Sequence, residues 1–168
     1  GAINIALDPG LAFGTGSHPT TRLCLNWLER TVRGGESVVD DGCGSGVLAI
    51  AAMKLGAARA DAVDIDGQAL LAARANAIHN RVPVTFHGAA DAILQPAQIV
   101  VANILAHPLI VLAPLIARQA LPRGRLALAG LLAAQADEVR AAYEPWFEFG
   151  APDADEGWTL LSGARRPS

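Results

Sequence analysis

Residues Val38–Gly56 read "VVDDGCGSGVLAIAAMKLG". A strand-like run meets three glycines, Gly42, Gly44 and Gly46, and an Ala/Leu run of helical composition follows. Residues without Cβ let a ligand lie against backbone. The helix that follows offers free N–H groups and a positive dipole end. A dinucleotide loop spaces its glycines G-x-G-x-x-G; here the third glycine arrives one residue early. Two acids, Asp40 and Asp41, precede the loop. Carboxylates there repel a pyrophosphate and attract an ammonium group. The next apolar run ends "VDID", placing Asp64 18 residues after Gly46 (64 − 46), with Asp66 just beyond. An acid at the tip of a second strand accepts both hydroxyls of a ribose. Together these groups describe a ligand with a ribose, a cationic amino-acid end and no phosphate. S-adenosylmethionine fits, with Asp40, Gly42, Gly44, Gly46 and Asp64 as its expected contacts.

Outward from this loop, short β-branched runs alternate with longer Ala/Leu runs. Strands are expected at Ser37–Asp40, Arg59–Asp64, Val84–Phe86, Gln98–Ala102, Arg125–Ala129, Phe147–Phe149 and Trp158–Ser162. Helices are expected at Pro19–Thr31, Val47–Leu55, Gln68–His79, Pro108–Ala120 and Leu131–Tyr143. Alternation of apolar strands with helices predicts an α/β fold, a mostly parallel sheet covered on both faces. Only "GAPDADEG", Gly150–Gly157, joins the last two strands. They are therefore expected to be antiparallel, giving seven strands of which one runs against the rest.

The bulk composition narrows the classes. The chain has 168 residues, 52% of them apolar and 17% charged, with a net charge of −3. That length predicts a single domain, residues 1–168, divided into a leading loop and helix (1–36) and a doubly wound sheet (37–168). No basic tract marks a nucleic-acid partner. Two cysteines, Cys24 and Cys43, make neither a disulfide scaffold nor a zinc site, so no metal is expected. No apolar run has the length of a membrane span, and no signal peptide is seen. A cytoplasmic monomer is the expectation.

Two further segments carry chemistry. "DPGLAFGTGSHPTT", Asp8–Thr21, is glycine-rich and holds Phe13, Thr15, His18, Thr20 and Thr21. Preceding the first strand, it is expected to cross the ligand mouth at the carboxyl ends of the strands and to act as a lid. Phe13, Thr15 and Thr21 are candidate cofactor contacts. "IVVANILAHP", Ile99–Pro108, puts Asn103 directly after the fourth strand, where its amide can orient an attacking amine. Amino-methyltransferases of nucleic acids often place an aromatic shortly after such an Asn; Ile104-Leu105-Ala106 has none, which argues against a flipped base. His18 and His107 are candidate mouth residues, whereas His79 and His87 read as surface or helix-end groups. Cys43 has no patterned base beside it and reads as a small packed residue.

The motifs "DPGLAFGTGSHPTTRLCLNWL", "GCGSGVLAIAAMKLGA", "DIDGQAL" and "VVANILAHPLIVLAP" together resemble the methyltransferases of large-subunit ribosomal protein eleven (PrmA type). The resemblance covers essentially the whole chain. It implies a seven-stranded class I methyltransferase fold, S-adenosylmethionine as methyl donor, and transfer to lysine side chains and the N-terminal α-amine of that ribosomal protein. The family's cofactor positions fall on Thr21, Gly42, Asp64 and Asn103; the catalytic role expected of Asn103, orienting the amine, comes from its place after the fourth strand. Full-length members carry a small N-terminal domain that holds the substrate, so the sequence corresponds to their catalytic domain. Two departures stand out. Asp41 occupies a position where relatives carry an apolar or aromatic residue, which raises the question of cofactor affinity. Gly67 replaces a proline. Three other readings stay open: a nicotinamide-dependent oxidoreductase, a cofactor-binding scaffold without turnover, and a methyltransferase of another protein, a small molecule or a nucleic acid.

Overall fold

A computed structural model describes residues 18–88 and 94–167. The elements in chain order are α1 (Pro19–Thr31), β1 (Ser37–Asp41), α2 (Val47–Lys54), β2 (Arg59–Val63), α3 (Gly67–His79), β3 (Thr85–His87), β4 (Ala97–Asn103), α4 (Ala106–Val111), α5 (Ala113–Arg118), β5 (Ala120–Leu132), a 3-10 turn (Ala133–Gln135), α6 (Ala136–Tyr143), β6 (Phe147–Phe149), β7 (Asp153–Asp155) and β8 (Trp158–Arg165).

One sheet runs β3-β2-β1-β4-β5-β8-β6. The first five strands are mutually parallel. β8 is inserted between β5 and β6 and runs antiparallel to both. Alternate residues of each central strand feed opposite cores, as strand geometry requires. Val38, Ile99, Val101 and Ala127 pack with Trp27, Leu28 and the Val47–Ala52 face of the first helices. Val39, Val100, Leu126 and Leu128 pack with Leu109, Ile116, Val139 and Tyr143 on the other side. The strands are apolar on both faces because both faces are covered. α2 is buried from Val47 to Ala52, which explains a helix with no polar side.

The structure departs from the sequence expectation in four places. The helix expected over Pro108–Ala120 is two helices, α4 and α5, hinged at Leu112. Pro114 sits in the first turn of α5, where its missing N–H costs nothing, whereas inside a continuous helix it would break the ladder. The helix expected from Leu131 starts at Ala136, because β5 continues to Leu132 through a register shift between Leu128 and Leu131. Gly130, at φ 94°, makes that passage: a Cβ there would lie 2.1 Å from the Ile104 carbonyl oxygen. The third strand sits one residue later than expected, at Thr85–His87. Finally, the Gly150–Gly157 connector contains an extra strand, β7, paired with the start of β8. Its acids bind α1: Asp155 accepts from Arg22 Nε at 3.0 Å, and Asp153 from Arg30 at 2.8 Å. Charge pairing rather than hydropathy recruits it, so alternation gave no sign of it. Among the described residues no helix is long and apolar enough to cross a membrane.

Candidate active site

The carboxyl ends of β2, β1, β4 and β5 stand side by side and carry Asp64, the glycine loop, Asn103 and Gly130. The loop is tied at several points. The N–H groups of Gly42 and Cys43 both donate to the Val63 carbonyl, at 2.7 and 2.9 Å. The Gly44 N–H donates to Asp64 Oδ2 at 2.9 Å, and Asp64 Oδ1 accepts the Asp66 N–H at 2.9 Å. Asn76, buried on α3, donates to the Ser45 carbonyl at 2.9 Å. Each Asp64 oxygen keeps a second lone pair, so the carboxylate can still accept two hydroxyls.

Two of the glycines answer steric demands. Gly42 has φ 76° and its Cβ would lie 2.4 Å from Ile104 Cγ2. Gly46 has φ 81° as the N-cap of α2, and a Cβ would meet the Ala73 Cβ at 3.1 Å. A glycine cap has no side chain to offer the first turn of α2. Asp40 offers one instead: its Oδ2 accepts the Ala49 N–H at 3.1 Å.

The two adjacent acids face opposite ways. Asp40 is 1% exposed, and its Oδ1 is buried with no hydrogen-bond partner among the described residues. Burial, opposed by the Ala49 hydrogen bond and reinforced by the charges of Asp41 and Asp64, pushes its pKa up to about 7. Asp41 points into the core under α5, where its Oδ2 accepts from Gln119 Nε2 at 2.8 Å. Burial raises its pKa too. The acid that departs from the family pattern therefore occupies the face away from Asp40 and the start of α2.

A cavity of about 430 Å³ opens beside the loop, lined by His18, Thr20, Thr21, Asn103, Leu105 and Trp158 among others. α1 enters it at its N-terminus. His18 Nδ1 accepts the Thr20 N–H at 3.2 Å and caps the helix. Its ring meets Trp158 edge-on, with centroids 5.3 Å apart. Thr21 is buried and Asn103 is half-exposed at the end of β4.

The structure thus brings Thr21 and Asn103 to one cavity, and Asp40, Gly42, Gly44, Gly46 and Asp64 to the loop beside it. Phe13, Thr15 and the rest of the expected lid before His18 lie outside the described residues. His107 is exposed on α4. His87 is not merely a surface group, since its Nε2 lies 3.0 Å from Asp61 Oδ1. Cys43 is buried and its thiol pKa is raised by that burial, consistent with a packed residue. Among the described residues no His/Cys/Asp/Glu group could hold a metal. Sequence reasoning missed Trp158, Asn76 and Ile65. Trp158 arrives from the far end of the chain, and nothing local marks it. Ile65 is 83% exposed between Asp64 and Asp66, and the signal was present: an isoleucine between two acids at a strand tip.

The topology and the loop–acid arrangement define the fold of the S-adenosylmethionine-dependent methyltransferases. More narrowly, the chain belongs to the ribosomal protein L11 methyltransferase (PrmA) family, whose model matches residues 1–166. It is 56% identical over 165 residues to the ribosomal protein L11 methyltransferase of Thiobacillus denitrificans, covering 98% of this chain and 56% of that one. It is 57% identical over 169 residues to that of Azotobacter vinelandii, covering 99% and 58%. The chain therefore spans just over half the length of the curated relatives it matches. The crystal structure of ribosomal protein L11 methylase from Lactobacillus delbrueckii subsp. bulgaricus superposes with a TM-score of 0.89 at 33% identity, over 96% of this chain and 85% of that one. The N-methyltransferase NodS from Bradyrhizobium japonicum, in complex with S-adenosyl-L-homocysteine, shares the fold at a TM-score of 0.72 and 12% identity, over 93% and 92%.

Proposed function

We propose that this chain is the catalytic domain of an S-adenosylmethionine-dependent methyltransferase acting on amines of ribosomal protein L11. The reading rests chiefly on one observation: the Asp64–glycine loop and the Asn103 cavity sit on adjacent strand ends. The residues fit the cofactor. Gly44, at φ 52°, brings its backbone against Asp64, Asp64 has acceptor capacity for a ribose, and Asp40 has a buried oxygen with no partner among the described residues. Ile65 offers an apolar surface beside Asp64 for a base. The early third glycine and a carboxylate at Asp40, at the start of the loop, disfavour a pyrophosphate, which weighs against a nicotinamide cofactor.

When bound, S-adenosylmethionine supplies a methyl group already activated on its sulfonium. The chain's own task is to present a neutral amine in line with it; such positioning supplies about 7–11 kcal/mol. A lysine of pKa about 10.4 is only about 0.04% neutral at pH 7, a cost of about 4.6 kcal/mol. An α-amine at about 7.7–8.0 costs only about 1–1.4 kcal/mol. The described residues lining the cavity include no carboxylate, so nothing there holds the amine as an ammonium. Asn103 is the residue that orients it, through its amide oxygen. His18 does not serve as the base in this reading: its Nδ1 is committed as acceptor to the α1 cap, which places the neutral ring's proton on Nε2. Lysine side chains and the N-terminal α-amine are the proposed acceptors, in a cytoplasmic setting, with the chain acting as a monomer. Mass spectrometry of ribosomal protein L11 incubated with isotopically labelled donor tests this. Labelled methyl groups on its amines are expected; an unmodified substrate under conditions where the donor binds would leave only a binding scaffold.

A further inference from the structure

The end of the sheet opposite the candidate site carries a second feature. A cleft of about 350 Å³ there is lined by Thr31, Glu36, Gln98, Arg123 and Arg125, among others. Its charged groups are two arginines and one carboxylate, Glu36. Each Glu36 oxygen accepts one backbone N–H, from Arg33 and Gly34, at 2.7 Å each, which stabilises its charge in place. The Gln98 amide oxygen accepts the Ser37 N–H at 3.1 Å, which leaves its NH₂ to the cleft. Arg123 and Arg125 are exposed and make no hydrogen bond or ion pair with any described residue. Arg123 is held at φ 65°, one of three non-glycine residues at positive φ among those described.

The cations extend beyond the cleft. Arg118 is exposed and equally unpaired. Arg165, on the neighbouring β8, donates to the Ala117 and Ala120 carbonyls and so stands next to it. Arg33 flanks the β1 side. Against these stand Glu36, held by the Arg33 and Gly34 N–H groups, Glu148 on β6, which pairs with Arg166, and Glu29, two residues from Thr31 and so about 200° around α1 from the cleft-lining side. The row crosses the lower ends of β1, β4, β5 and β8, about 14 Å at about 4.8 Å per strand. That is longer than one phosphate, and guanidinium forks match phosphate bidentately.

We propose that this face binds the phosphodiester backbone of a nucleic acid, and that the nucleic acid is RNA. The choice of RNA over DNA rests on the ribosomal substrate proposed above; the backbone contact does not. The absence of a basic tract along the sequence predicted no such partner. Three of the arginines lie in one stretch, residues 118–125, and Arg33 and Arg165 join them only in the fold. The face lies about 20 Å from Asn103 along β4, so RNA held there leaves the methylation cavity open.

Anisotropy of a short labelled RNA hairpin titrated with the 168-residue chain tests this, with a DNA hairpin of the same sequence and polyglutamate as comparison arms. RNA binding that weakens with salt is expected. The Arg123→Glu/Arg125→Glu pair should lower affinity about tenfold or more and reduce the log–log salt slope by about 1.5–2. The milder Arg123→Gly/Arg125→Gln pair, which relaxes the turn, should do nearly the same. S-adenosylmethionine affinity should stay unchanged in both, and melting temperature should not fall. No RNA binding at low salt, or binding insensitive to both pairs, overturns the proposal. Polyglutamate binding as tight as RNA assigns the face to an acidic protein segment instead. DNA binding as tight as RNA overturns the assignment to RNA. None of these results depends on whether L11 is methylated.

Discussion

Asp40 accepts the Ala49 N–H at 3.1 Å through one oxygen, while its other oxygen is buried with no partner among the described residues. One carboxylate thus caps α2 and keeps an acceptor in reserve below the glycine loop. Its pKa is raised from the ordinary carboxylate range to about 7. Between about pH 4 and 7 the unfolded chain releases this proton and the folded chain keeps it. Asp40 therefore makes the ligand-free protein lose stability as pH rises through that window, with no further change above it. Asp40→Asn should flatten that part of the melting-temperature profile. If Asp40 also holds the cofactor's ammonium, wild-type affinity should rise up to about tenfold per pH unit below about pH 7, and the variant should lose the rise. Calorimetry across that range reads both; an unchanged slope in the variant would remove Asp40 from the cofactor site.

Asp64→Ala removes a carboxylate that accepts the Gly44 and Asp66 N–H groups and is proposed to hold the ribose. S-adenosylmethionine affinity should fall by about 1.5–3 kcal/mol. Equal affinity by calorimetry would refute the ribose assignment. Asp64→Asn, which keeps one acceptor, should fall between the two.

Gly42→Ala places a Cβ 2.4 Å from Ile104 Cγ2 at φ 76°. The two effects separate in a double variant. Gly42→Ala alone should cost about 1–3 kcal/mol of stability. Adding Ile104→Ala should recover part of that and leave the left-handed strain of about 1–2 kcal/mol. Chemical denaturation of the four proteins of the cycle measures it, and full recovery would mean the backbone strain is negligible.

Asp41→Leu leaves Gln119 without its carboxylate partner and should cost about 1–3 kcal/mol of stability. Asp41→Leu/Gln119→Leu should be close to neutral, because both buried polar groups are gone. Well above pH 7, where Asp40 is ionised in both proteins, cofactor affinity should change little in either, since Asp41 faces the core under α5. A lowered affinity would show that the two faces of β1 are coupled.

Asn103→Ala should lower kcat about 5–150-fold, the equivalent of about 1–3 kcal/mol, and should also weaken S-adenosylmethionine binding, since Asn103 is a candidate cofactor contact. In both proteins the rate of methyl transfer to a lysine should climb with pH between about 7 and 10, following the amine's own ionisation. A flat profile with chemistry rate-limiting would mean that a base in the enzyme, not solvent, takes the proton.

The sequence by itself determined what depends on near neighbours. The early third glycine, Asp40 before it and Asp64 at the strand tip are the local signals behind the proposed ribose-and-ammonium ligand, because φ preference and charge act locally. Strand–helix alternation likewise yields the parallel sheet and its two covered faces. Only the tertiary structure decided the rest. Asp40 and Asp41 look equivalent in sequence, yet the pleat sends them to opposite cores, where Ala49 meets one and Gln119 the other. β5 runs past its expected end because Gly130 lets it pass the Ile104 carbonyl. Trp158 of β8 reaches His18 at the start of α1, and Arg33 and Arg165 join the arginines of residues 118–125 at the opposite end. Each of these needs contacts between residues far apart in the chain, and no periodicity or local propensity encodes them.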